Sequence, residues 1–229
     1  MHIQLDDSLT SVIPQFKIGL IHYTKITVSE SPQMIQGRTR LYQESLAIDF
    51  ADAPVTNRPG VAEWRDVWKT LGANPSRYRH STEAMLRRIA KGDYLAPVNS
   101  AVDLNNFFSL QYDIPVGSYD AQTLQGDVTI ALGDEDTQYE ALNGRVTTLK
   151  SIPCSFDAQG PFGSPYVDSV RSAVTEDASD VVQLFYLRPS MSVAEAERLL
   201  DAAGKMFTQI NGGEYVRNIL HINQATVTV

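Results

Sequence analysis

Apolar and polar positions recur along this chain in two rhythms. Val61, Trp64, Val67, Trp68 and Leu71 keep helical spacing, which predicts a helix over 61–71 ended by Gly72. Two tryptophans four apart on such a face belong to a core far more often than to a stacking platform. Ser81 as a cap, Glu83 in the first turn and Met85, Leu86 and Ile89 facing inward predict a second helix that stops at Gly92. Ser31-Pro32 opens another, to about Phe50, with Met34, Ile35, Leu41, Tyr42 and Leu46 on its apolar side. The strongest helix starts at the capping box Ser192-Val-Ala-Glu195 and runs to about Asn211 before Gly212-Gly213. Its inward positions are Val193, Ala196, Leu199, Leu200, Ala203, Met206, Phe207 and Ile210.

Runs rich in β-branched and aromatic residues predict strands at 16–28, 128–132, 152–156 and 180–187, and a terminal strand at 219–229. Segments 139–142 and 146–149 flank Asn143-Gly144, the favoured tight-turn pair, and predict a hairpin. Residues 53–60, with two prolines, form a connector. Several short strands without alternating helices argue for an antiparallel or mixed sheet. The predicted fold class is therefore α+β: one layered domain over residues 1–229 with flanking helices. There is no internal repeat, low-complexity run or evident linker.

Two stretches carry candidate chemistry. In 97–120, Leu104, Phe107, Phe108 and positions 111–112 fit a helix with one buried face, broken at Asp113-Ile114-Pro115. Asp103, Asn105 and Asn106 sit inside it, although such side chains compete with the backbone and disfavour helix interiors. A cap needs only one such residue, so the stretch is either a helix start capped by Asn99, Ser100 or Asp103 with a solvated remainder, or part of a polar site. In 158–171, Gly160, Pro161, Gly163 and Pro165 predict a rigid loop whose amides can face a ligand, followed by Asp168, Ser169 and Arg171. The alternative is a turn with an ordinary surface ion pair.

The string Asn99, Val102-Asp103, Asn106, Ser109-Leu110, Pro115 and Gly117-Ser118-Tyr119-Asp120 resembles the editing domain of the beta subunit of bacterial phenylalanyl-tRNA synthetase, the B-three/B-four module. It is closer still to free-standing proteins made of that module alone. The run RYRHSTEAMLRR and the order Gly160, Gly163-Ser164, Asp168-Ser169, Arg171 resemble the same family, so the likeness covers about 60–187. The resemblance implies hydrolysis of a mischarged aminoacyl-tRNA ester, with water attacking in a site that mainly positions it. It places the family's Thr-Asn pair on Asn105 and Asn106, which become the candidate catalytic residues. Gly117, Ser118, Asp120, Gly163, Ser164, Asp168 and Ser169 become candidate substrate contacts. The resemblance further implies that Asn105, Asn106, Gly117, Ser118, Ser164 and Asp168 line one pocket. The family's histidine falls on Gly117, and its tyrosine-selecting glutamate near Gln183, Leu184 and Phe185. Neither is matched, so editing of tyrosine as such is not implied for this chain.

Composition narrows the partners. With 43% hydrophobic and 20% charged residues, the 229-residue chain is that of an ordinary globular protein. No apolar run approaches the roughly 20 residues of a membrane helix, and Met1–Thr10 has no basic segment ahead of an apolar one. A cytoplasmic location with no membrane partner is expected. The single Cys154 excludes an internal disulfide and a cysteine zinc site. The net charge of −8 argues against a surface that grips nucleic acid throughout, and no DNA partner is expected. The charge is uneven, however. Between Arg58 and Lys91 eight bases face three acids, leaving +5 there and −13 elsewhere. Arg77, Arg79, Arg87 and Arg88 are the candidate tRNA contacts, although solvated helix faces explain such a run equally well.

The chain holds no Gly-Lys-Ser/Thr phosphate loop, no GxGxxG and no GxSxG. His2, His22, His80 and His221 have no metal-ligand spacing, so neither a cofactor nor a metal is expected. His80 is a possible general base, though a surface or capping role fits it better. A rival reading is a non-catalytic protein whose pocket takes a small amino-acid-like ligand.

Overall fold

The long runs of β-branched and aromatic residues become the centre of the molecule, because strands buried on both faces need apolar side chains on both. In the computed structural model, which describes residues 1–229, β2 (Ile18–Thr24) and β9 (Val181–Tyr186) pair antiparallel in the middle of a four-stranded sheet. Its edges are β3 (Val116–Asp120) and β10 (Glu214–Leu220). Every residue of β9 is buried. A five-stranded sheet packs on one face: β11 (Thr226–Thr228), β1 (His2–Leu5), β4 (Val128–Leu132), β7 (Pro153–Asp157) and β8 (Gly160–Gly163), in that order. All its pairings are antiparallel except β1 with β4. Helices α5 (Ser100–Tyr112) and α6 (Val193–Asn211) cover the other face. Helices α2 (Gln33–Asp52), α3 (Pro59–Thr70) and α4 (Ser81–Ile89) complete the helical side around Leu46, Val61, Leu86 and Leu110. The one-turn α1 (Asp7–Thr10) and the hairpin β5 (Gln138–Glu140) with β6 (Val146–Thr148) finish the list. The architecture is α+β, as the pattern predicts.

Alternation along β9 divides its side chains between two cores. Val182, Leu184 and Tyr186 point to the neighbouring sheet, with Trp64, Trp68 and Tyr119. Val181 and Phe185 point to α5 and α6. A period of two does this automatically, and it decides which candidate residues can meet.

Local signals that need no partner are realised. The Ser192–Glu195 capping box forms, Asn99 caps α5 by accepting from the amides of Ala101 and Val102, and Asp113 takes the left-handed conformation that ends α5. Three expectations need correction, and strand β1 lay outside them. The predicted loop at 158–171 contains β8, a strand paired with β7. The tail is two strands in different sheets rather than one. Strand β1 escapes a reading based on apolar runs because only Ile3 and Leu5 face inward. Helix α2 turns Ile35, Gln43 and Leu46 to the interior, whereas Met34 and Leu41 are exposed.

Candidate functional site

The candidate residues of the central stretch divide between two faces of one sheet. Asn105, on the buried side of α5, donates from Nδ2 to the Val116 carbonyl at 2.8 Å and accepts at Oδ1 from Gln183 Nε2 at 2.9 Å. Gln183 in turn accepts from the Tyr23 hydroxyl at 3.0 Å. This fully buried chain ties α5 to β3, β9 and β2 and commits Asn105 to the fold, so the amide is not free to polarise a substrate. We expect Asn105→Ala to lower stability by about 2–3 kcal/mol, since it strands the Gln183 amide and the Val116 carbonyl. Urea denaturation measures it, and a loss below about 0.5 kcal/mol counts against the network. Ser118 lies across from Gln183 in the β3–β9 register and keeps a buried, unpartnered hydroxyl.

Gly117 and Tyr119 point the other way, into the space between the sheets. A Cβ on Gly117 would stand 2.0 Å from Tyr119 Oη, and one on Gly163 would stand 2.3 Å from the same ring. Two glycines thus make room for one tyrosine. The Tyr119 hydroxyl donates to Asp168 Oδ1 at 2.8 Å and lies 3.4 Å from the Tyr186 hydroxyl. Tyr139 donates to Ser164 Oγ at 2.9 Å, and Ser164 in turn donates to the Val167 carbonyl at 2.9 Å. No cation pairs with Asp168. Although the residue keeps some solvent contact, desolvation of its carboxyl outweighs the Tyr119 hydrogen bond and pushes its pKa up to about 7. Burial also raises the Tyr119, Tyr139 and Tyr186 phenols and the Cys154 thiol. Asp120 accepts from the Gln122 amide and starts a short 3-10 turn. Ser169 exchanges a hydrogen bond with Ser172 in the interior.

Gly117, Gly163, Ser164 and Asp168 therefore do converge, but around Tyr119 rather than around an open pocket. Asn106 is not among them. Its side chain opens into a separate cavity of about 560 Å³ between α2, α5 and the connector 94–97. Asp103, Gln36, Arg40, Gln43 and Tyr94 share that cavity. Sequence reasoning missed the α2 residues because a glutamine or arginine between apolar positions reads as a solvated face.

His80 is neither at the surface nor available as a base. It is fully buried, and its Nδ1 accepts the Glu83 amide as the cap of α4. Nε2 lies toward the backbone of Val61 but completes no hydrogen bond. Desolvation, with Arg65 adding to it, pulls the imidazole pKa down to about 3, so the ring is neutral at physiological pH.

The four candidate arginines share one groove. Arg77, Arg79, Arg87, Arg88 and Lys91 line a cleft of about 570 Å³ with Asn143, Tyr166 and Val167, and Asp93 is its only acid. Arg87 pairs with the buried Glu83, which Arg65 also holds, and Arg88 pairs with Asp93. Arg77, Arg79 and Lys91 have no ionic partner. The Pro165 carbonyl accepts from the Ser81 amide at 2.8 Å, which fixes the 164–168 loop against the start of α4. One wall of the groove is thereby the loop that carries Asp168.

Comparison with known proteins places this arrangement. The model of the B3/4 domain matches residues 63–210. The chain belongs to the B3/4 domain family. A relative of nearly the same length, the uncharacterized protein YhzB of Bacillus subtilis, is 34% identical over 218 residues, 94% of this chain and 97% of its own. The phenylalanine–tRNA ligase beta subunit of Bartonella quintana is 35% identical over 108 residues, 46% of this chain but 13% of that subunit. Among solved structures, an N-terminal fragment of the phenylalanyl-tRNA synthetase beta subunit from Pyrococcus horikoshii matches with a TM-score of 0.45 at 12% identity, over 93% of this chain and 49% of that one. Groups of three or more His, Cys, Asp or Glu side chains that could hold a metal do not occur, and no helix is long and apolar enough to cross a membrane.

Proposed function

We propose that this B3/4 protein binds the acceptor end of a tRNA and hydrolyses a mischarged aminoacyl ester in trans. The observation that carries the reading is the basic groove, in which five cations and a single acid face one cleft. Phosphates in such a cleft would position the RNA without reading its sequence. Lys91 and Asp93 face the groove while Tyr94 and Leu95 face the α2/α5 cavity, so one connector walls both. On this reading an acceptor end held in the groove runs along that connector and presents its terminal ester at Asn106. With Asn105 committed to the fold, Asn106 is the amide left to donate to a carbonyl oxygen, and no imidazole is available for general-base chemistry.

Deacylation of a panel of mischarged tRNAs by the purified chain is the direct test. Asn106→Ala should slow it by about a hundredfold, the usual loss for one oxyanion donor. The Arg77→Glu/Arg79→Glu pair should weaken tRNA binding at least about tenfold at low salt and reduce the salt slope by about two. Both arginines are exposed and make no ion pair, so folding should be untouched. No tRNA binding at low salt, or binding indifferent to the double substitution, would end this reading.

A further inference from the structure

We propose that the α2/α5 cavity is a binding site for a small zwitterion of the amino-acid class, held by Asp103 at its ammonium end and Arg40 at its carboxylate end. The site is built from buried side chains whose free atoms are dictated by what their other atoms do. Gln43 is 1% exposed. Its Oε1 accepts the Leu95 amide at 2.6 Å, which settles the orientation of the side-chain amide and turns Nε2, with no partner in the protein, toward the cavity. Asp103 is 6% exposed, and its Oδ1 accepts the Val98 amide at 3.0 Å. Its Oδ2 has no hydrogen bond and its carboxylate no cation. A buried carboxylate without a counter-charge is costly, and an incoming ammonium would supply that charge. Thr39 Oγ1, also on the cavity wall, is buried and unpartnered.

The opposite charge comes from Arg40. Its guanidinium lies 4.0 Å from the centre of the Tyr94 ring and spends Nε on Glu44. Both terminal nitrogens stay unengaged, and together they can bind a carboxylate end-on. The two open nitrogens of Arg40, the unpaired carboxylate of Asp103 and the amides of Gln43 and Asn106 complement a molecule bearing a carboxylate, an ammonium and hydrogen-bonding atoms between them. A simple anion or an uncharged sugar would leave Asp103 uncompensated. About 560 Å³ holds the largest amino acid or a dipeptide. The inference concerns the cavity named above but needs no RNA, so it can stand or fall separately from the groove.

Calorimetric titration of the intact chain with each L-amino acid and a set of dipeptides, at millimolar concentration and without tRNA, is the test. At least one zwitterion should bind. Its N-acetyl and its carboxamide forms should each bind at least about tenfold more weakly. Asp103→Asn keeps the acceptor for the Val98 amide, and Arg40→Gln alters an exposed residue, so both variants should keep the wild-type melting temperature. Each should lose about tenfold in affinity or more. The proposal is overturned if no zwitterion binds, if the blocked forms bind as well as the parent, or if both variants bind normally. Failure here beside intact tRNA binding would remove the zwitterion site alone; the converse would remove the groove reading alone.

Discussion

Gly117→His should leave the protein unfolded or destabilised by more than about 3 kcal/mol, although histidine is what the family resemblance puts at this position. The reason is Tyr119. It leaves the same face of β3 two residues later, and its hydroxyl occupies the point 2.0 Å from where the new Cβ would go. The ring cannot swing aside, because it packs edge-on against Phe162 with centroids 5.0 Å apart and is hydrogen-bonded to Asp168. Gly163 closes the other side. A second substitution separates this cause from a general intolerance of β3. Tyr119→Ala alone should cost about 3–5 kcal/mol through the void it leaves. Gly117→His/Tyr119→Ala should then be less damaged than the sum of the two by about 1–3 kcal/mol, because the histidine enters the vacated space. Guanidinium denaturation of the four proteins gives the coupling. A stable Gly117→His single variant, or strict additivity, would show that Tyr119 does not fill this space.

The second large effect is a pair of opposed pH dependences. Desolvation keeps Asp168 protonated to about pH 7 in the native protein, whereas an unfolded chain releases that proton near pH 3.9. Between those values the native state holds the extra proton, so stability falls as pH rises. His80 acts in reverse. It stays neutral down to about pH 3 when folded, while the unfolded imidazole gains its proton near pH 6.5. Stability contributed by the neutral ring is complete above about pH 6.5 and declines as the pH falls below it. From about pH 4 to 6.5 the two slopes oppose, each at most about 1.4 kcal/mol per pH unit. Asp168→Asn removes one slope and keeps an acceptor for the Tyr119 hydroxyl. Relative to wild type, this variant should gain stability by on the order of 3 kcal/mol between pH 4 and 7. His80→Asn keeps an acceptor for the Glu83 amide and should lose the acid-side slope instead, apart from a pH-independent cost for the smaller side chain. Denaturation midpoints from pH 4 to 8 would show it. Parallel curves for all three proteins would mean that neither group is shifted.

The basic groove and the Tyr119 cluster differ in how visible they were beforehand. Arg77, Arg79, Arg87, Arg88 and Lys91 lie within fifteen residues of chain, on a helix and the turns either side of it, so their clustering is a local property that sequence spacing exposes. Asn105 and Asn106 are also adjacent, yet one is buried against Gln183 and the other opens into the α2/α5 cavity. Neighbouring positions on a helix point about 100° apart, and only the packing of α5 between the sheet and α2 shows which side each meets.

By itself, the sequence determined whatever rests on short-range chemistry. The helices, the Ser192–Glu195 capping box, the buried β9 and the α+β class follow from spacing and composition. The tertiary structure decided what depends on long-range pairing. β1 and β11 meet from opposite ends of the chain, and β3 presents Gly117 and Ser118 to different layers. Gly117, Gly163 and Asp168 come together around Tyr119 from segments nearly fifty residues apart. A strand's two faces are equivalent until another layer packs on one of them, and that packing is a property of the whole chain.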